Sequence, residues 1–220
     1  MGQILQTISV VIAALAFAYG VFAWRRAELG KRRIELAEET LALFYEVREA
    51  LRIIRSPYIR KGEGQSRPRE REEFKEVSEI DDRAHVVFER YDKKAELFAR
   101  LASLKYRFRA YFGDGATKPF DEVKAIRDQV FTASRALADI WLAHELQHTP
   151  TITPDDLKIK DEAEAVIWES RRDDPLMERM DESISKIENI CQAFINPRPT
   201  ICDLMADLWA GTKRFCLCRD

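Results

Sequence analysis

Residues 4–24 read ILQTISVVIAALAFAYGVFAW and contain no charged side chain, whereas all 36 Lys and Arg and all 38 Asp and Glu of the chain lie at or beyond Arg25. About 20 mostly apolar residues at 1.5 Å rise per residue cover the ~30 Å hydrocarbon core of a bilayer. The run therefore predicts a transmembrane helix. A cleavable leader would carry a basic n-region, a shorter apolar stretch and a small-residue cleavage site; here the n-region is uncharged and the run ends in Trp24-Arg25-Arg26. A retained anchor over residues 1–25 is expected.

The flanks set the expected orientation. Arg25, Arg26, Lys31, Arg32 and Arg33 crowd the C-terminal side of the run, and Lys and Arg are retained on the cytoplasmic side. The sequence thus predicts a single-pass protein of the inner (plasma) membrane, its N-terminus outside and the rest of the chain cytoplasmic. Trp24, Arg25 and Arg26 are expected at the membrane interface. The start MGQILQT places Gln6 where an N-myristoylation signal needs Ser or Thr, so lipidation is not expected.

Beyond the anchor no segment alternates like a strand, and apolar residues recur at helical spacing. Ile34, Leu41, Phe44, Leu51 and Ile54 share a face of a helix predicted from about Arg26 to Arg55. Ser56-Pro57 stops it, and Gly62, Gly64, Ser66 and Pro68 mark the following basic segment as turn or loop, its charges read as solvation. Phe74, Val77, Ala84, Phe88, Tyr91, Ala95, Phe98, Ala102, Lys105, Phe108 and Phe112 step mostly by three and four, predicting one helix of about 40 residues. Gly113-Asp114-Gly115 ends it. Thr117 and Pro119 open the next helix, with the stripe Val123, Ile126, Val130, Ala133, Leu137, Ile140 and His144. Thr153-Pro154-Asp155-Asp156 and Asp174-Pro175 are further start signals, the second leading into Met177, Met180, Ile184, Ile187, Cys191 and Phe194. The fold class is therefore all-α: one N-terminal transmembrane helix, then an elongated antiparallel helical bundle, coiled-coil-like, over residues 26–196. Residues 197–220 form a tail holding Cys202, Cys216 and Cys218. In a reducing cytoplasm these cysteines and Cys191 are expected as free thiols or metal ligands.

An antiparallel layout returns the long helix toward the bilayer at its C-terminal end, which reads KYRFRAYF over residues 105–112. Lys105, Arg107 and Arg109 interleaved with Tyr106, Phe108, Tyr111 and Phe112 make a mixture suited to a headgroup layer. These three bases join Trp24, Arg25 and Arg26 as expected membrane-interface residues.

One motif carries chemistry. His144-Glu145-Leu146-Gln147-His148 fits H-E-x-x-H, in which two His one helical turn apart bind zinc while the Glu deprotonates the metal-bound water. Over these five residues the chain resembles the zincin metallopeptidases. The resemblance implies His144 and His148 as ligands, Glu145 as the catalytic base, and a third ligand on a later helix, for which Glu169, followed four residues on by Asp173, is placed. Against it, Pro150 stops the helix just after His148, and the substrate-binding sheet edge of that family has no counterpart here. The competing reading makes His144 a continuation of the apolar stripe and His148 a cation favouring the helix C-terminus.

A net charge of −2 excludes a general nucleic-acid binder, and no phosphate- or dinucleotide-binding glycine loop is present. No small-molecule substrate is indicated and no cofactor is expected, zinc excepted under the peptidase alternative. The function expected from the sequence is a membrane-anchored cytoplasmic interaction or scaffold module, whose partners are the lipid bilayer and a protein or a second copy of the chain.

Overall fold

The computed structural model describes residues 2–69, 73–147, 154–170 and 173–196. Among them the secondary structure is helical throughout. There are six α-helices: α1 Gly2–Ile54, α2 Lys75–Asp92, α3 Ala95–Phe112, α4 Lys118–Gln147, α5 Pro154–Ile167 and α6 Pro175–Ile195, with a 3₁₀ turn Asp114–Thr117 before α4. The tail with Cys202, Cys216 and Cys218 lies outside the described residues.

The chain divides into two compact units, Met1–Ala37 with Asn189–Asp220, and Glu38–Glu188. α1 is one uninterrupted helix of 53 residues, so the expected anchor and the expected second helix are continuous. Nothing between Trp24 and Arg33 breaks it, because the lone Gly30 costs about 1 kcal/mol in a helix interior, which long flanks absorb. α1 is long and apolar enough to cross a membrane, and its apolar window is not buried within the structure. Phe17 (76%), Tyr19 (78%) and Leu15 (66%) stand out in solvent-accessible positions. In the same unit Leu36, Ala37 and Cys191 are buried, and the Arg33 guanidinium lies over the Phe194 ring at 5.8 Å.

In the second unit the core is built from Leu43, Phe44, Val47, Leu51 and Ile54 of α1, Val86 and Val87 of α2, Phe98, Leu101, Leu104 and Phe108 of α3, Val123, Ile126, Val130 and Leu137 of α4, and Met180, Ile184 and Ile187 of α6. Fully burying each large apolar side chain contributes about 1.5–3 kcal/mol. Aromatic rings join the elements edge to face: Phe44 meets Phe120 at 4.9 Å, and Tyr91 meets Phe131 at 4.9 Å, the geometry favoured by ring quadrupoles. Across the surface, Arg48 pairs with Asp181, Arg179 with Glu122 and Tyr45 with Glu188.

The helix of about 40 residues expected from Phe74 to Phe112 is instead two, α2 and α3. Lys94 leaves the helical region at φ −117° and ψ 4°, and its N–H bonds the Tyr91 carbonyl three residues back at 2.8 Å. The break carries no Gly or Pro. It lets Tyr91 and Phe98, seven residues apart, bring their rings to 5.0 Å while Phe88 and Tyr91 both reach Phe131 of α4. The buried face moves accordingly: Leu101 and Leu104 are core whereas Ala102 is exposed, and Phe74 is an exposed residue before α2. Thr117 is buried and donates its hydroxyl back to the Asp114 carbonyl at 2.9 Å.

Two arginines close the helix ends. The last carbonyls of a helix lack intrahelical partners, and both arginines are drawn in to supply donors. Arg90 of α2, 5% exposed, donates to the carbonyls of Ile54, Ser56 and Tyr58 at 3.3, 2.6 and 2.6 Å and pairs with Glu63 at 2.8 Å. Arg55, fully buried, donates to the carbonyls of Val166, Ala165 and Trp168 at the end of α5 and pairs with Asp174 at 3.0 Å. Asp174 in turn accepts from the N–H groups of Leu176 and Met177 at 3.1 Å each, which is the N-cap of α6.

The basic loop after α1 is pinned rather than solvated. Arg67, 10% exposed, pairs with Glu73 and Asp82. Glu89 accepts from the Gly64 N–H at 2.7 Å, the Ser66 hydroxyl at 2.9 Å and Lys93 at 2.7 Å. Gly64 sits at φ +87°, and a Cβ there would stand 1.8 Å from the Asp82 carbonyl oxygen; only glycine fits.

Candidate functional site

The expected interface residues of the anchor lie on one stretch of α1. Trp24 is 68% exposed, and Arg25 and Arg26 are exposed beside it. Among the described residues neither arginine has a carboxylate partner. The bases a turn further on do: Arg32 pairs with Glu28 at 2.9 Å and Lys31 with Glu35 at 3.8 Å. A shallow groove of about 380 Å³ on this stretch is lined by Phe22, Arg25, Arg26, Leu29, Gly30 and Arg33.

The second expected interface segment ends α3, where every base is held by a carboxylate. Lys105 pairs with Asp121 at 2.5 Å, Arg107 with Glu39 at 3.2 Å and Arg109 with Asp114. Its aromatics divide. Phe108 is fully buried, its ring 4.3 Å from Phe112 and 5.3 Å from Phe120, so it belongs to the core. Tyr106 is 71% exposed. Beside it an open depression of about 350 Å³ runs between α3 and α4, floored by Phe98, Leu101, Phe120 and Val123.

The H-E-x-x-H segment straddles the end of α4. His144 and Glu145 lie on its last helical turn; their side chains, and all of His148, lie outside the described residues. The expected third ligand, Glu169, follows α5. Its carboxylate accepts from Arg52 Nε at 2.8 Å and its N–H donates to the Arg55 carbonyl at 2.7 Å, so it serves the joint between α1 and α5. Asp173, the residue four on, is exposed at φ +51°. Among the described residues no group of three or more His, Cys, Asp or Glu is placed to hold a metal ion.

The carboxylates of the pinned loop are tuned for charge. Lys93, with the Gly64 N–H and the Ser66 hydroxyl, holds Glu89 down to about 2 against the opposing effect of burial. Arg90 holds Glu63 below the ordinary carboxylate range, and Arg67 does the same for Glu73. For Asp174 burial works the other way, yet Arg55 and the backbone N–H groups outweigh it and the carboxyl stays low. At Cys191 burial pushes the thiol up to about 11. Arg55, Arg67 and Arg90 were not legible as buried groups in the sequence, because a buried arginine reads locally like any solvated one; only Arg55, beside the predicted stop at Ser56-Pro57, carries a local signal. The chain matches no family model, no curated protein and no solved structure.

Proposed function

We propose that this chain is a single-pass inner-membrane protein, its N-terminus outside, whose helices beyond Arg25 form an elongated antiparallel cytoplasmic bundle acting as an interaction or scaffold module. The observation that carries the reading is the exposed, uncharged face of α1 that ends abruptly at Arg25 and Arg26. A free-standing apolar helix of that length is stable where lipid replaces water. The cluster of bases on one flank supports the cytoplasmic orientation.

The antiparallel arrangement is supported by the order of the pairs between α1 and α6: Tyr45 with Glu188, Arg48 with Asp181 and Arg55 with Asp174. The interaction role is supported by apolar side chains left outside at the end of α1, where Ile53 (51%), Tyr58 (72%) and Ile59 (40%) follow one another closely in the chain. Lys105, Arg107 and Arg109, with the exposed Tyr106, belong to the proposal as a second contact with the headgroups.

The test is fractionation and topology of the full chain, combined with photocrosslinking from Tyr58. The protein should stay in carbonate-washed membranes, be digested by protease added to inside-out vesicles, and give discrete protein adducts through a crosslinker at position 58. Release by carbonate would sink the anchor, protection in inside-out vesicles the orientation, and an absence of adducts the interaction role.

A further inference from the structure

The charges on α1 just beyond the apolar run are sorted by face. At about 100° per residue, Phe22, Arg25, Arg26, Leu29, Gly30 and Arg33 fall within a sector of about 140°; Trp24, Glu28, Lys31 and Glu35 fall on the opposite side, and Arg32 lies at its edge next to Arg25, turned to Glu28. The opposite side is self-neutralised by the pairs Glu28–Arg32 and Lys31–Glu35. The first face carries three arginines and no acid, and none of the three has a carboxylate partner among the described residues. Arg33 is steadied instead by the Phe194 ring at 5.8 Å.

The same six residues line the groove of about 380 Å³. Gly30 gives it depth, since nothing lies within 4 Å of where its Cβ would be. Phe22, on the apolar side, and Leu29 offer hydrocarbon contact, while Arg25, Arg26 and Arg33 present guanidinium forks suited to phosphate oxygens. Three positive charges with no carboxylate partner among the described residues want an anion, and apolar contacts beside them want an acyl chain.

We infer that this face of α1 is a binding site for one anionic phospholipid of the cytoplasmic leaflet, its phosphate held by Arg25, Arg26 and Arg33 around Leu29 and its upper acyl chain laid along Phe22. The site rests on the membrane-anchored reading proposed above. It differs from a general attraction to an anionic surface, which would draw on Lys31 and Arg32 equally.

The test uses the full chain reconstituted in phosphatidylcholine vesicles containing trace spin-labelled phosphatidylglycerol or phosphatidylcholine, the motionally restricted fraction being read by electron paramagnetic resonance. A preference for phosphatidylglycerol of about fivefold or more is expected, about fivefold being what one arginine near an anionic surface contributes. The Arg25→Gln/Arg26→Gln/Arg33→Gln variant should bring the preference close to one. Gly30→Leu, which fills the groove without changing charge and favours the helix, should lower it severalfold. Lys31→Gln/Arg32→Gln should leave it in place. Equal losses in the two charge variants, or an undiminished preference in the triple variant, would overturn the site while leaving the anchor intact. A chain that carbonate strips from the vesicles would overturn the anchor and the site together.

Discussion

Arg55 and Asp174, 119 residues apart, meet at 3.0 Å with side chains 0% and 7% exposed. The arginine closes the end of α5 and the aspartate opens α6, so a single ion pair fixes where three helices meet. Removing one partner leaves the other buried and uncompensated, which costs about 3–5 kcal/mol. Asp174→Ala should lose that much in urea unfolding of the full chain in detergent, with the midpoint falling at unchanged slope. Asp181→Ala, which removes an exposed pair with Arg48, should cost about 1 kcal/mol or less.

Gly64 separates conformation from space. Gly64→Ala meets both a positive φ and the Asp82 carbonyl, and strain of this kind costs about 1–3 kcal/mol before the clash is counted. Gly62→Ala shares the φ of +86° but opens onto empty space, so only the conformational cost of about 1–2 kcal/mol applies. Urea midpoints should rank wild type above Gly62→Ala above Gly64→Ala; equal losses would place the loop elsewhere.

Acid should release the loop. Glu63, Glu73 and Glu89 are held below their ordinary range, Glu89 at about 2. A depressed carboxyl stabilises the fold fully above its unfolded value and loses that contribution as pH falls toward the folded one. Amide exchange over residues 56–69 should therefore accelerate relative to the helices as pH is lowered from about 4.5 toward 2, after correction for intrinsic rates. Glu89→Gln should show the acceleration already at neutral pH.

Cys191 should be inert. Its burial and a thiol pushed up to about 11 leave almost no thiolate at pH 8, and the thiolate is the nucleophile. Peptide-mapped alkylation with iodoacetamide should spare Cys191 in the native chain and modify it in urea. Rapid native labelling would show the end of α6 opening.

The zinc alternative has a direct measurement. With Glu169 engaged by Arg52, the scaffold reading expects well under one zinc per chain by elemental analysis after chelation and reconstitution, unchanged in a His144→Ala/His148→Ala variant. Stoichiometric zinc lost in that variant would overturn that expectation, revive the peptidase alternative and call for substrate screens.

Helical class, the starts of α4, α5 and α6 and the apolar N-terminal run were legible in the sequence because each rests on local rules. An uncharged run needs only counting, and Pro175 behind a capping Asp174 needs only its neighbours to start α6. Of the seam Met177, Met180, Ile184, Ile187, Cys191 and Phe194, the middle four are buried and the two end residues half-buried, since a regular helix carries its own periodicity.

What the tertiary structure decided lies where distant parts compete for the same groups. The break at Lys94 has no local signature; it accompanies the packing of Phe88 and Tyr91 on Phe131 and of Phe98 on Tyr91. Arg55, Arg67 and Arg90 read locally as solvated charges, yet they are buried because carbonyls left open at helix ends and carboxylates from other segments converge on them. Whether a charge faces water or closes a helix is set by what the chain brings to it, and that is not written in the residue or its neighbours.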